Sequence, residues 1–359
     1  MSGLVRLFRF IGIGDMRAGY GRTRVMKKSI SKGTARFTAL ALSAALAMSI
    51  AGTRAEADPR VTADALDQKV QAWMAADHIG SAALAVMRQR QLVGQYGHGG
   101  MLPTKAYPIA SLSKAITAAC LAPFIDGQHL TFDDQIGHVL APYFAQNGYP
   151  SDPRFMRMTI GELLTHRAGL QRNTFGNSHD VDAAFRNTLT IPLQSDPGTQ
   201  MSYSNGGYLI LGFLVQVLSH TDYETACRKP LTAMGANGYI DPKMRQRSPN
   251  GGWEVSAVDY ARFGQIFDEH SPLLGPITQK WLLSQPGNPS YSLGVNVKNT
   301  GHGYEFYHDG MVADGEGGGS YFLKTDNGYT AVVIWSGTFA GSAYSDLFKI
   351  MKSTLTSGD

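Results

Sequence analysis

A chain of 359 residues with 43% hydrophobic, 17% charged and 10% aromatic side chains has the make-up of a folded globular protein, which excludes a disordered or fibrous one. The formal net charge of +4 gathers at one end: the first 57 residues hold ten basic groups, from Arg6 to Arg54, and two acids, Asp15 and Glu56, so the remainder carries −4. A mildly acidic body gives no electrostatic reason to bind nucleic acid.

In chain order, the first element is a targeting segment. Lys27 and Lys28 precede an apolar run over residues 37–51, and Ala55-Glu56-Ala57 places small residues where a signal peptidase cuts. That is the order of a secretory signal. The run of about 15 residues is shorter than the roughly 20 that span a bilayer. Export with cleavage near Ala57 is therefore expected over a retained anchor. Met26, directly before the two lysines, is a candidate start that makes residues 1–25 an overlong reading frame. Residues 58–359 form the folded domain.

Within it, apolar residues at helical spacing predict a helix over 61–78. Two β-prone runs, 82–87 and 92–96, flank a polar turn and predict a hairpin. The far end mirrors this, with strands over 291–297, 304–308, 320–324 and 329–335. The last two are joined by Asp326-Asn327-Gly328, a hairpin turn signal. A closing helix is expected over 343–354. Between the two ends, helical patterns dominate: 114–126, 160–165, 207–219, 222–234, 256–268 and 277–283. Strands that pair across such an insertion give one antiparallel sheet flanked by the N- and C-terminal helices. The fold class is thus α/β of the α+β type, with a sheet lobe (58–110 and 284–359) and an inserted all-helical lobe (111–283). A cleft between lobes is a usual place for a site.

Cys120 and Cys227 are too few for a disulfide framework. Cys120 lies in an apolar helical stretch, where a free thiol packs as a small hydrophobe, so buried thiols are expected over a bridge. No CxxC, HExxH or Cys/His cluster implies a metal, and no cofactor, nucleic acid or obligate protein partner is expected.

Three short motifs carry chemistry. In Ala110-Ser111-Leu112-Ser113-Lys114 a helix opens, so Ser111 and Lys114 sit on one face. The hydroxyl is then exposed at a helix start, its own N–H is an unpaired helix-end donor, and the helix dipole favours a developing anion. Lys114 can take the hydroxyl proton if burial lowers its pKa. The same spacing at Ser29 and Lys32 shows that this signal alone is weak, and Ser111 could be a plain N-cap. The second motif, Tyr203-Ser204-Asn205, stands on a turn ahead of an apolar helix. Tyr203 can move protons, and Asn205 can orient a carbonyl or Lys114. Third, His308-Asp309-Gly310-Met311 ends a strand. Gly310 admits a close backbone approach, and the Met311 N–H can oppose that of Ser111 as an oxyanion donor.

Taken in order, SxxK, YxN and HxG resemble the serine β-lactamase and penicillin-binding-protein superfamily. The chain is most similar to its class C-like branch of esterases, D-aminopeptidases and DD-carboxypeptidases. The segment Leu163-Leu164-Thr165-His166-Arg167-Ala168-Gly169-Leu170 and the Pro197-Gly198 lead into Tyr203 are also similar to that branch. The resemblance implies a β-lactamase/transpeptidase-like fold. It makes Ser111 the nucleophile, Lys114 its proton partner, Tyr203 the base and Asn205 a substrate-orienting amide. His308 falls where the β-lactamases carry the lysine of Lys-Thr-Gly. A mostly neutral histidine there points away from carboxylated β-lactams and toward a neutral ester or an amide bearing a free amine.

The expected function is a serine hydrolase acting on a small-molecule ester, amide or peptide. The alternative is a penicillin-binding sensor or cell-wall binding protein with negligible turnover. An α/β-hydrolase is disfavoured, because no serine lies in Gly-x-Ser-x-Gly.

Overall fold

A computed structural model describes residues 58–312, 317–337 and 341–357. The expected export signal lies outside the described residues. Helix α1 (Pro59–Ala76) starts at Asp58, whose carboxylate accepts from the Arg60 N–H, with proline in the first turn. Strands β1 (Ser81–Arg88) and β2 (Gln91–His98) form the hairpin, and β3 (Tyr107–Pro108) leads through a 3-10 turn, Ala110–Leu112, into α2 (Ser113–Asp126). Next come α3 (Ile136–Val139), α4 (Ala141–Asn147), α5 (Ile160–Leu164), α6 (Val181–Thr188), α7 (Asn205–Ser219) and α8 (Tyr223–Ala233). Then β4 (Gly238–Ile240), α9 (Ser248–Gly251), β5 (Trp253–Val255), α10 (Ala257–Phe263) and α11 (Pro276–Leu283) close the middle of the chain. The last stretch holds β6 (Ser290–Ser292), β7 (Val295–Asn299), β8 (Tyr304–Val312), β9 (Gly318–Lys324), β10 (Tyr329–Ser336) and α12 (Ser342–Leu355).

Among the described residues the main sheet has seven strands in the order β2-β1-β10-β9-β8-β7-β6. The two ends of the chain meet in this sheet, with β1 antiparallel to β10 from Ser81↔Ser336 to Arg88↔Tyr329. Side chains alternate at period two. Ala82, Leu84 and Val86 join Leu66, Val70, Trp73, Leu347 and Met351 on one face. Ala83, Ala85 and Met87 join the helices of the middle segment on the other.

Two expectations need correction. The middle segment is not all helical: its β4 and β5 join β3 in a second, three-stranded sheet. Strands of two or three residues are too short to show a period, and their pairing (Tyr107↔Val255, Gly238↔Val255) is long-range. The cysteines are also not free thiols. Cys120 on α2 and Cys227 on α8 form a disulfide with Cα atoms 5.4 Å apart, because those two helices pack side by side.

Candidate active site

The turn bearing Ser111 is pinned from both directions. The Ile109 N–H donates to the Trp253 carbonyl at 3.0 Å, and the Ile109 carbonyl accepts from Ser320 Oγ on β9 at 2.8 Å. Ala110 has φ +44°, a left-handed conformation that costs an L residue about 1–2 kcal/mol. The kink turns the chain from strand into helix and leaves Ser111 half-buried at the bend. Strand β8 closes over it. A Cβ on Gly310 would stand 2.4 Å from both the Ile109 carbonyl oxygen and Ser320 Oγ, so only glycine allows this approach. Gly294 does the same for α2: its Cβ would meet Ala115 N at 2.3 Å.

One turn along α2, Lys114 is wholly buried. Its Nζ lies 3.0 Å from Ser111 Oγ, 2.9 Å from Asn205 Oδ1 and 2.8 Å from the Asn250 carbonyl oxygen. Burial, and then the cation of Arg172, pull its pKa well below the usual lysine value, against a smaller opposing effect of Asp309. The carbonyl of Asn250 is held in place by the short helix α9, whose Pro249 carbonyl accepts from Thr117 Oγ1 at 2.6 Å.

Tyr203 comes from a separate stretch. Ser204 caps α7 through Oγ, which sets Tyr203 just before the helix. The Tyr203 hydroxyl donates to Ser111 Oγ at 2.9 Å. Burial raises the phenol's pKa, outweighing the bond to Ser111, so the resting group is a neutral phenol. The His166 ring stands 4.2 Å from the Tyr203 ring. Its Nδ1 accepts from the Ser204 N–H at 3.2 Å, which places the proton on Nε2. Asn205 donates through Nδ2 to Asn173 Oδ1 at 2.8 Å, so its other amide atom is turned to Lys114.

The structure therefore brings Ser111, Lys114, Tyr203 and Asn205 into one hydrogen-bonded cluster. His308 is different. It is 4% exposed, and both ring nitrogens are engaged: Nδ1 with the Asp309 carbonyl at 2.5 Å and Nε2 with the Tyr291 hydroxyl at 3.1 Å. A carbonyl can only accept, so Nδ1 carries the hydrogen and Nε2 accepts from Tyr291. Burial lowers the His308 pKa to about 4, leaving a neutral ring with no nitrogen to offer a substrate. Met311, two residues on from Asp309, has an exposed side chain.

Sequence reasoning missed three contributors. Asn250 acts through its backbone carbonyl, which any residue could supply. Arg172, with Cζ 5.2 Å above the Tyr203 ring, carries no motif. Tyr291, the partner of His308, lay inside an expected strand without a distinguishing pattern.

A sheet packed on helices, with a buried lysine and a tyrosine converging on a serine at a strand-to-helix bend, is the arrangement that the resemblance to the serine β-lactamase and penicillin-binding-protein superfamily implies. The Beta-lactamase family model matches residues 66–352, and the chain belongs to that family. Penicillin-binding protein 4 of Amycolatopsis lactamdurans is 26% identical over 327 aligned residues, covering 76% of this chain and 84% of that protein. Among solved structures, a β-lactamase from Sulfitobacter sp. EE-36 superposes with a TM-score of 0.68 at 16% identity, covering 84% of this chain and 100% of that one. A D-amino acid amidase from Ochrobactrum anthropi SV3 gives 0.64 at 16% identity, with 82% and 99% covered. At such identities the two structures speak for the fold. Among the described residues no helix is long and apolar enough to cross a membrane.

Proposed function

We propose that the chain is an exported serine hydrolase that opens an ester or amide carbonyl through an acyl-enzyme on Ser111. The observation that carries this reading is the convergence on one hydroxyl of a buried amine at 3.0 Å and a phenol at 2.9 Å, from stretches 89 residues or more apart in sequence.

The burial of Lys114 and its hydrogen-bond partners support one assignment of the starting protons. Asn205 Oδ1 and the Asn250 carbonyl can only accept. A neutral lysine amine has two N–H groups for them and one lone pair left, which faces Ser111 Oγ. The depressed Lys114 pKa favours that neutral form. The phenol starts protonated, so Tyr203 begins as a donor and Lys114 as the base, a division of labour that differs from the role expected of Tyr203. As Ser111 Oγ attacks, its proton passes to Lys114. The resulting ammonium has three N–H groups for its three oxygen neighbours. Tyr203 then protonates the departing alcohol or amine and recovers a proton from Lys114. Water enters where the leaving group stood and returns its proton along the same path. The oxyanion is assigned to the N–H groups of Ser111 and Met311. Support comes from the seating of β8 against the Ser111 turn at Gly310.

Because the base is an amine held below its ordinary range, kcat/KM rises with pH as Lys114 deprotonates, with a midpoint well below 10.5. A fluorophosphonate or labelled penicillin tests the chemistry directly. A covalent adduct on the Ser111 peptide by mass spectrometry, with turnover of an ester or amide, is the expected result. Stable labelling without turnover of a p-nitrophenyl ester, nitrocefin or a D-alanine p-nitroanilide favours a penicillin sensor. Failure to label at all ends the proposal.

A further inference from the structure

The neutral His308 leaves the β8 wall of the site without a cation. The loop after α5 supplies one. Arg172 lies in the loop between α5 and α6, exposed to solvent, with its Cζ 5.2 Å above the ring of Tyr203. Its surroundings are fixed. The Arg172 carbonyl accepts from the Asn205 N–H at 2.8 Å, and the neighbouring Asn173 holds the Asn205 amide at 2.8 Å. The guanidinium itself makes no ion pair or hydrogen bond among the described residues. Arg154, nearby in sequence, shows the contrast: it is paired with both Asp152 and Asp196. A planar fork of five donors, anchored by its backbone and uncommitted at its tip, is shaped for a carboxylate.

We infer that Arg172 is a specificity-determining residue that binds a carboxylate on the substrate, close to the bond being cleaved. The inference deepens the proposed acyl-enzyme chemistry and rests on it. The Tyr203 hydroxyl is 2.9 Å from Ser111 Oγ. A guanidinium stacked on that ring therefore lies within about two peptide units of the reacting carbonyl, at ~3.8 Å per unit. The cation absent from β8 is replaced by one on the loop after α5, beside Tyr203. This overrides the preference for uncharged substrates that His308 alone suggests.

The test uses two matched ester pairs. p-Nitrophenyl hemiglutarate against p-nitrophenyl valerate places the carboxylate on the acyl side. The butyrate of p-hydroxybenzoate against the butyrate of its methyl ester places it on the leaving side. The readout is the ratio of kcat/KM for the charged over the neutral member, which cancels any effect of Arg172 on the chemistry itself. In Arg172→Gln this ratio falls about tenfold or more for one pair, mainly through KM, as expected for loss of a charge-assisted hydrogen bond. Arg172→Lys keeps part of the ratio, and added salt erodes it in the wild type more than in Arg172→Gln. An unchanged ratio in both pairs overturns the inference. So does an equal slowing of all four esters, which would make Arg172 a support for Tyr203. Absence of any Ser111-dependent turnover instead removes the underlying acyl-enzyme reading, and the inference with it.

Discussion

The face of the main sheet beneath α1 and α12 is assembled from Leu84, Val86, Leu323, Val333 and Trp335 against Leu66, Trp73, Leu347 and Met351. Trp73 and Trp335 meet edge to face at 5.3 Å, and the Trp73 Nε1 donates to the Ala343 carbonyl at 3.1 Å. The opposite face packs Ala83, Ala85, Met87, Phe322, Val332 and Ile334 against the middle helices, and at its β8 end buries polar groups: His308, Ser320 and, across the cleft, Lys114. Apolar burial stabilises the first face by roughly 1.5–3 kcal/mol per large side chain. The second holds an amine and two imidazoles that burial drives to their neutral forms, which costs stability at low pH. The first face is apolar packing alone, whereas the second combines apolar packing with reactive groups kept out of water.

If that division holds, substitutions on the two faces should separate activity from stability. Ser111→Ala carries the largest effect. Catalytic serines elsewhere lose roughly a million-fold in kcat, and here the loss should come with an unchanged melting temperature in the same preparation. On the other face, Leu84→Ala should cost about 2–5 kcal/mol of unfolding free energy in denaturant titration, while kcat per folded molecule stays at the wild-type value. A fall in kcat there would erase the distinction.

His308 sharpens the comparison through pH. Its folded pKa of about 4 lies below the usual 6.5, so between those values the unfolded chain binds more protons. Stability is therefore full above about pH 6.5 and declines as pH falls toward 4, by about 3 kcal/mol for this group. His308→Gln should flatten that decline without abolishing it, since His166 shifts in the same direction. Urea midpoints measured across that range report it. Gly310→Ala is the smallest change in atoms and energy. Its Cβ would collide with the backbone oxygen of Ile109, costing about 1–3 kcal/mol by overpacking. Displacing β8 from Ser111 should also lower kcat on the order of a hundredfold. Wild-type kcat in that variant would show that β8 need not sit so close.

Much of this was legible in the sequence because it is written in local patterns. The terminal hairpins and the helices bearing Lys114 and Asn205 follow from periodicity and turn chemistry. The three motifs named the serine, lysine and tyrosine that the fold gathers. What escaped depends on tertiary contact. The strand at Trp253–Val255 is defined by its partners, not its composition. The third oxygen around Lys114 is a backbone carbonyl, silent in any sequence. The role of His308 turned on Tyr291, 17 residues away, whose hydroxyl completes the ring's hydrogen bonding and seals it off.

The disulfide between Cys120 and Cys227 spans 107 residues of chain. The covalent ring it closes encloses Arg172, Tyr203 and Asn205, and its knot lies fewer than two helical turns beyond Lys114. Thus the loop that frames the cleft mouth is tethered to the helix that carries the amine, even when noncovalent contacts between them open. Such a tether forms only where thiols are oxidised. Material produced in a reducing cytoplasm should assemble the same sheet yet hold its reactive groups together less firmly, a difference that hydrogen exchange in α2 and α8 would register.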